Sequence, residues 1–223
     1  MRHNSILLGS VIGLILVGVG LALGPRLGLM AVGIPRPGGQ WLWFMSRAAG
    51  VTAYVALALA TIWGLLLSTS VADIIVSRGR SLDAHRWLSA VALSLSVAHA
   101  VPLLGDRYIR FDLFDVVVPF LAPYRPVAVG LGIVGLYLAA TVYGSFWLRA
   151  RMGNRVWRAI HFLSFPAFGL ITLHGLFAGT DSGSAWLRAI YLTAVVLVGM
   201  LTALRVLSRS GPAMRRTPTR AET

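Results

Sequence analysis

The stretch HRWLSAVALSLSVAH, residues 85–99, and the stretch HFLSFPAFGLITLH, residues 161–174, decide the fold. Each is an apolar run bounded by two histidines. His85 and His99 stand 14 residues apart, and His161 and His174 stand 13 apart. On a helix these separations rise about 21 Å and about 20 Å. The hydrocarbon core of a bilayer is about 30 Å thick. Two such helices side by side would offer one facing histidine pair near each membrane surface.

The rest of the chain agrees with a membrane setting. It is 57% apolar and 12% charged, with a mean hydropathy of +0.78. Soluble domains carry roughly 25% charged residues. Six segments are long and apolar enough to span: residues 5–24, 41–68, 82–105, 127–148, 156–178 and 185–207. The expected fold is all-α, a polytopic six-helix transmembrane bundle. It fills one domain, residues 1–208 with its core at 41–207, followed by a basic, disordered cytoplasmic tail at 209–223. The connections are too short for a second domain. The first segment has an alternative reading as a cleaved signal peptide ending near Ala22-Leu23-Gly24. Its apolar core is longer than such peptides carry, which favours a retained span.

The net charge of +13 follows the membrane and is not a nucleic-acid footprint. Arg149, Arg151, Arg155 and Arg158 crowd one loop, Arg78 and Arg80 another, and five arginines follow Leu204. The opposite side has Arg26, Arg36, Arg107, Arg110 and Arg188, diluted by Asp106, Asp112, Asp115 and Asp181. The positive-inside rule then places both termini in the cytoplasm. With that topology the third and fifth segments run in the same direction. The facing pairs are His85 with His161 on the inner side and His99 with His174 on the outer side.

Imidazole is a common axial ligand of haem iron, and a haem held by two histidines has no open position on the metal. Two stacked haems, ligated by His85, His99, His161 and His174, would form a path for electrons across the membrane. The chain has no cysteine, which removes disulfides, cysteine-held iron–sulfur clusters and covalent haem attachment. The plain alternative is that the histidines only pack or bond within the bundle. Ionisable groups inside membranes are rare and usually functional, and four at matched spacing favour a site. Ideal geometry strains one pairing. Fourteen residues bring His99 to within about 40° of the face of His85, whereas thirteen leave His174 about 140° from that of His161. Pro166 lies between the latter two and offers a kink or rewinding point.

Other motifs speak less clearly. Arg47 lies inside the second segment, after Trp41 and Trp43, which form an outer aromatic belt. It reads either as a snorkelling side chain or as the partner of a haem propionate. Arg158 shares a helix face with His161, and Arg86 adjoins His85. Both read as inner-propionate partners or as inner-interface charges. Asp112 and Asp115 lie in a half-buried amphipathic outer loop and read only secondarily as a cation site. Gly130, Gly132 and Gly135 follow no strand, so they mark close helix packing and not a dinucleotide fold. His3 reads as a solvated terminal residue.

The runs Trp157-Arg158-Ala159-Ile160-His161 and His174-Gly175-Leu176-Phe177-Ala178-Gly179-Thr180-Asp181 resemble the ferric reductase-like transmembrane domain superfamily. That superfamily includes the membrane domains of ferric-chelate reductases and NADPH oxidases and the haem subunit of the bacterial methionine sulfoxide reductase system. Ser46-Arg47-Ala48 resembles the start of its corresponding helix. The resemblance spans residues 41–207. It implies six helices, two b-type haems and transmembrane electron transfer in an oxidoreductase system. Its flavin and nicotinamide domain has no counterpart here, because residues 205–223 form only a short basic tail. Electrons would then come from a separate flavoprotein, from an FMN or FAD bound on the cytoplasmic side, or from membrane quinol. They would leave to a ferric chelate or a periplasmic reductase. A haem-binding membrane sensor or assembly factor without turnover is the alternative, and a haem-free transporter or channel is a third class. Membrane lipid is the common partner of all three, and nucleic acid of none.

Overall fold

The structure is a computed structural model that describes residues 41–69, 76–105 and 109–210. The described residues are helical, with no strand among them. The helices are α1 (Trp41–Ser68), α2 (Arg78–Ala100), α3 (Leu113–Val117), α4 (Pro126–Phe162), α5 (Ser164–Ala178) and α6 (Ala185–Ser210), and a 3-10 turn over Val101–Gly105 extends α2. Four helical stretches are long and apolar enough to cross a membrane: Trp41–Ser68, Arg78–Gly105, Pro126–Ala178 and Ala185–Ser208. The chain is a membrane protein. One flank of α6 leaves Leu192, Val196, Leu204 and Leu207 exposed, as a lipid-facing surface does. The expected first span, His3 and the end of the tail lie outside the described residues. Helix α6 continues to Ser210, two residues into the segment expected as tail.

Helices α1 and α2 run antiparallel. His99 reaches back to Ser46 near the start of α1, and His85 reaches Ala60 in its second half. Trp63 near the end of α1 donates to the Ser81 carbonyl near the start of α2, at 3.0 Å. Small side chains make this closeness possible. Ala53, Ala56, Ala58 and Ala60 are all buried on α1, and small residues let membrane helices approach.

The stretch Pro126–Ala178 has 53 residues, which would make a straight rod of about 80 Å. It is not a rod. Gly153 has φ 76° and ψ 163°, outside helical space, and the chain turns back there. Gly132 meets His174, Gly135 meets Ile171 and the Arg149 guanidinium lies over Trp157. Each step forward on the first arm is thus matched by an equal step back on the second, and this register closes on Gly153.

The second arm is broken again at Leu163, between α4 and α5. The Leu163 N–H donates to the Ile160 carbonyl, three residues back, at 3.0 Å, a 3-10 closure in place of an α-helical one. Pro166 lies in the first turn of α5 and has no N–H for the carbonyl of Phe162, so the break falls one turn before it. The break lies between His161 and His174, the interval in which an ideal helix would leave the two rings on different faces.

A buried cluster joins α1, α5 and α6. Tyr54, Ala58, Leu65, Phe168, Leu187, Tyr191, Ala194 and Val198 pack together. The Tyr54 and Tyr191 rings meet edge to face with centroids 4.6 Å apart, and the Tyr54 hydroxyl is 3.2 Å from that of Thr172. The cluster fixes α6 against the two histidine-bearing hairpins.

The Gly153 backbone lies in a region essentially closed to side-chain-bearing residues. Gly153→Ala should therefore destabilise the protein by about 1–3 kcal/mol. Thermal unfolding in detergent measures this, and an unchanged midpoint would show that the turn relaxes freely.

Candidate functional site

The four histidines come together in the expected pairs. The rings of His85 and His161 have centroids 6.3 Å apart, and those of His99 and His174 are 6.0 Å apart. Each pair is crossed steeply, at 69° and 73° between ring planes. The pairs lie toward opposite ends of the bundle.

Three of the rings are held in the same way. Nδ1 of His99 lies 2.7 Å from the Ser46 carbonyl oxygen, Nδ1 of His85 lies 3.0 Å from that of Ala60, and Nδ1 of His174 lies 2.9 Å from that of Ala128. A carbonyl can only accept, so in each case Nδ1 carries the proton. In the neutral ring Nε2 is then the unprotonated nitrogen, with its lone pair available.

A missing side chain makes each anchor accessible. Four residues after Ser46, Ala60 and Ala128 stand Gly50, Gly64 and Gly132. In a helix the residue four positions on lies one turn above, on the same face. A Cβ on Gly50 would stand 2.8 Å from Nδ1 of His99, one on Gly64 3.0 Å from Cε1 of His85, and one on Gly132 2.5 Å from Nδ1 of His174. The helix carbonyl already accepts its own N–H, and its second lone pair takes the imidazole. At the outer pair Ser46 adds a further tie, its hydroxyl donating to the His99 carbonyl at 2.7 Å.

This arrangement suits a metal bound between the rings. A first-row metal–imidazole nitrogen bond is about 2.0–2.1 Å, and a ring nitrogen lies about 1.2 Å from the centroid, so imidazoles on opposite sides of one metal have centroids about 6.4–6.6 Å apart. The observed 6.3 and 6.0 Å are close to that span. Among the described residues no group of three or more His, Cys, Asp or Glu is placed to hold a metal ion. A bare zinc site takes three or four protein ligands. Two opposed imidazoles instead suit an iron whose other positions a porphyrin fills.

The outer pair opens onto a largely apolar cavity that is also lined by Arg47, Tyr54, Tyr124 and Asp181. Arg47 forms a two-pronged ion pair with Asp181, with its Nε 2.8 Å from Oδ2 and its Nη2 against Oδ1. It is thus tied across the cavity to the connection between α5 and α6. Sequence reading had not joined these two residues, which are 134 positions apart. At the inner end Arg86 lies over the Phe146 ring at 4.3 Å and 3.5 Å from Asp83. Arg158 is exposed and donates to the Asn154 carbonyl at 3.3 Å, away from the histidines. Asp112 and Asp115 are engaged with each other's cap, the Asp115 carboxylate accepting from the Asp112 N–H at 2.7 Å.

Gly50 and Gly64 escaped the sequence reading, although their spacing of 14 repeats that of His85 and His99. Gly132 had been read as a packing glycine, a role that Gly130 against Phe120 and Gly135 against Ile171 do fill. No family model, curated protein or solved structure matches the chain.

The cradles rank by crowding. Gly132→Ala and Gly50→Ala should each cost about 1–3 kcal/mol of stability, as overpacked sites do, with Gly64→Ala at or below that range. Gly144 has nothing within 4 Å of a built Cβ, so Gly144→Ala should be neutral or stabilising by up to about 1 kcal/mol. Unfolding midpoints of the four variants test this, and equal effects at Gly132 and Gly144 would remove the cradle argument.

Proposed function

We propose that the chain conducts electrons across a bacterial plasma membrane through two b-type haems, one on His99 and His174 and one on His85 and His161. The observation that carries this reading is the repeated ligand geometry: two opposed imidazole pairs, with three rings fixed so that Nε2 is the free nitrogen. Each bound haem supplies a one-electron couple at an iron with both axial positions taken, suited to passing electrons and not to chemistry at the metal.

The protein's own residues do the rest. The backbone carbonyls of Ser46, Ala60 and Ala128 orient the imidazoles and raise their basicity, as outer partners of metal-bound histidines do. Arg47 spends part of its five-donor fork on Asp181 and has the remainder for a propionate on the outer side. Arg86 is the nearer inner candidate, and the exposed Arg158 the weaker one.

We read the crossings as six: residues 5–24, α1, α2 with its 3-10 turn, the two arms that meet at Gly153, and α6. Arg78, Arg80, Arg149, Arg151 and Arg155 collect at the Gly153 end, which supports a cytoplasmic location for that end and for both termini. The donor is a separate flavoprotein, a bound FMN or FAD, or quinol, and the acceptor is a ferric chelate or an exported reductase. This is the arrangement implied by the resemblance to ferric reductase-like membrane domains.

The purified protein should contain about two haems per chain, low-spin in the reduced-minus-oxidised spectrum. Ala substitution at His99 or His174 should remove one and the same haem, and at His85 or His161 the other. A single haem in fully loaded protein would break the paired model, and none would overturn the reading. Haem present in vesicles without transmembrane electron transfer would favour the sensor or assembly role.

Charge near the outer pair gives a second test. Arg47→Leu should lower the potential of the outer haem, because losing a nearby positive charge favours the oxidised form. Asp181→Asn should raise it. A redox titration that resolves both haems checks the signs, and unchanged potentials in both variants would leave the ion pair a purely structural tie.

A further inference from the structure

His161 is held differently from the other three histidines. Among the described residues its ring has no hydrogen-bond partner. It stacks on Trp157, one turn earlier on α4, with centroids 5.1 Å apart and planes 22° apart. The Trp157 ring is also covered by Arg149, whose guanidinium lies 4.4 Å from the ring centroid. Arg149 is in turn fixed by Asn154 near the Gly153 turn, its Nε and Nη2 each 3.1 Å from the Asn154 Oδ1.

The exception has a counterpart in the glycines. Gly50, Gly64 and Gly132 each lie against one of the other three rings, and among the described glycines none packs against the His161 ring in this way. His161 therefore lacks the missing Cβ through which the other imidazoles reach a helix carbonyl.

We propose that Trp157, clamped by Arg149, is the positioning residue of His161, and that this makes His161 the exchangeable axial ligand of the two pairs. The proposal rests on the haem reading above. A carbonyl anchor fixes both the proton position and the rotation of the ring. A face-to-face stack fixes the plane of the ring but neither its rotation within that plane nor its tautomer. The stack also depends on an exposed arginine at the basic end of the bundle, whereas the carbonyl anchors are built from main chain. The inner pair thus joins one rigidly held ligand, His85, to one held by side-chain packing alone.

The test uses the full chain purified with its haem, and carbon monoxide added after dithionite reduction. Wild type should be nearly inert. Trp157→Ala should keep about two haems while about half of the total becomes CO-reactive, because one iron of two loses its sixth ligand. Trp157→Phe, which keeps a stacking face, should restore inertness. Arg149→Gln should fall between the wild type and Trp157→Ala. Two haems that remain CO-inert in Trp157→Ala would overturn the positioning role while leaving the haem reading intact. CO binding at both haems in that variant would show a general loosening and would also overturn it. Wild-type protein without haem would overturn both. Should Trp157→Ala fail to accumulate, Arg149→Gln decides alone: a CO-reactive fraction no greater than wild type counts against the proposal.

Discussion

A helix carbonyl that already accepts its own N–H has one lone pair left, and three of the four histidines depend on it. The imidazole can reach that lone pair only where the residue one turn on has no Cβ. Ser46 with Gly50, Ala60 with Gly64 and Ala128 with Gly132 are three instances of one solution. The bond also decides chemistry, because a carbonyl acceptor leaves the proton on Nδ1 and the lone pair on Nε2. Much of the architecture follows from keeping these contacts. The glycine spacing on α1 matches the histidine spacing on α2, and the order of the partners, Gly50 with His99 and Gly64 with His85, sets the two helices antiparallel in one register.

The second hairpin meets the same demand under a worse angular constraint. Thirteen residues on an unbroken helix would turn His161 and His174 to different sides. The arm is interrupted between them at Leu163, one turn before Pro166. Gly153 supplies the reversal that brings the first arm back past the second. With these two local departures from helical geometry, both rings meet those of α2 in pairs. His161 sits beside the break, and among the described glycines none packs against its ring.

What the sequence disclosed was whatever depends on spacing along one segment. The membrane helices at 41–68 and 185–207, the pairing of His85 with His161 and of His99 with His174, and the distortion near Pro166 were all legible from composition and helical period. What it hid depends on contacts between segments. The Arg47–Asp181 ion pair joins residues 134 positions apart, with nothing local to signal it. Arg158 shares a turn with His161, yet its side chain runs back along the helix to Asn154. The glycine cradles were half visible. Glycines in membrane helices usually signal close packing, and only the positions of the facing histidines separate Gly132 from Gly130 and Gly135.

Polar atoms inside an apolar bundle need a reason to be there. Burying an acceptor without a partner costs about 1–3 kcal/mol. In the three anchored rings Nδ1 is satisfied by protein, and in the neutral ring this leaves Nε2 as an acceptor without a hydrogen-bond partner among the described residues. At the outer pair both rings are anchored, and two such acceptors gain nothing from their proximity. Leucine or phenylalanine would fill the same space without the penalty. The arrangement becomes favourable once something that accepts electron pairs from both nitrogens stands between them, which a metal centre does and a proton shared by two such pairs would do only in charged form. A charge without a counterion is expensive in this setting, and the haem proposed for these pairs is a ligand whose own charge is largely balanced. A ferrous porphyrin core is neutral, and its carboxylates lie at the periphery. Those would fall toward the ends of the bundle, where Arg47 and Arg86 stand.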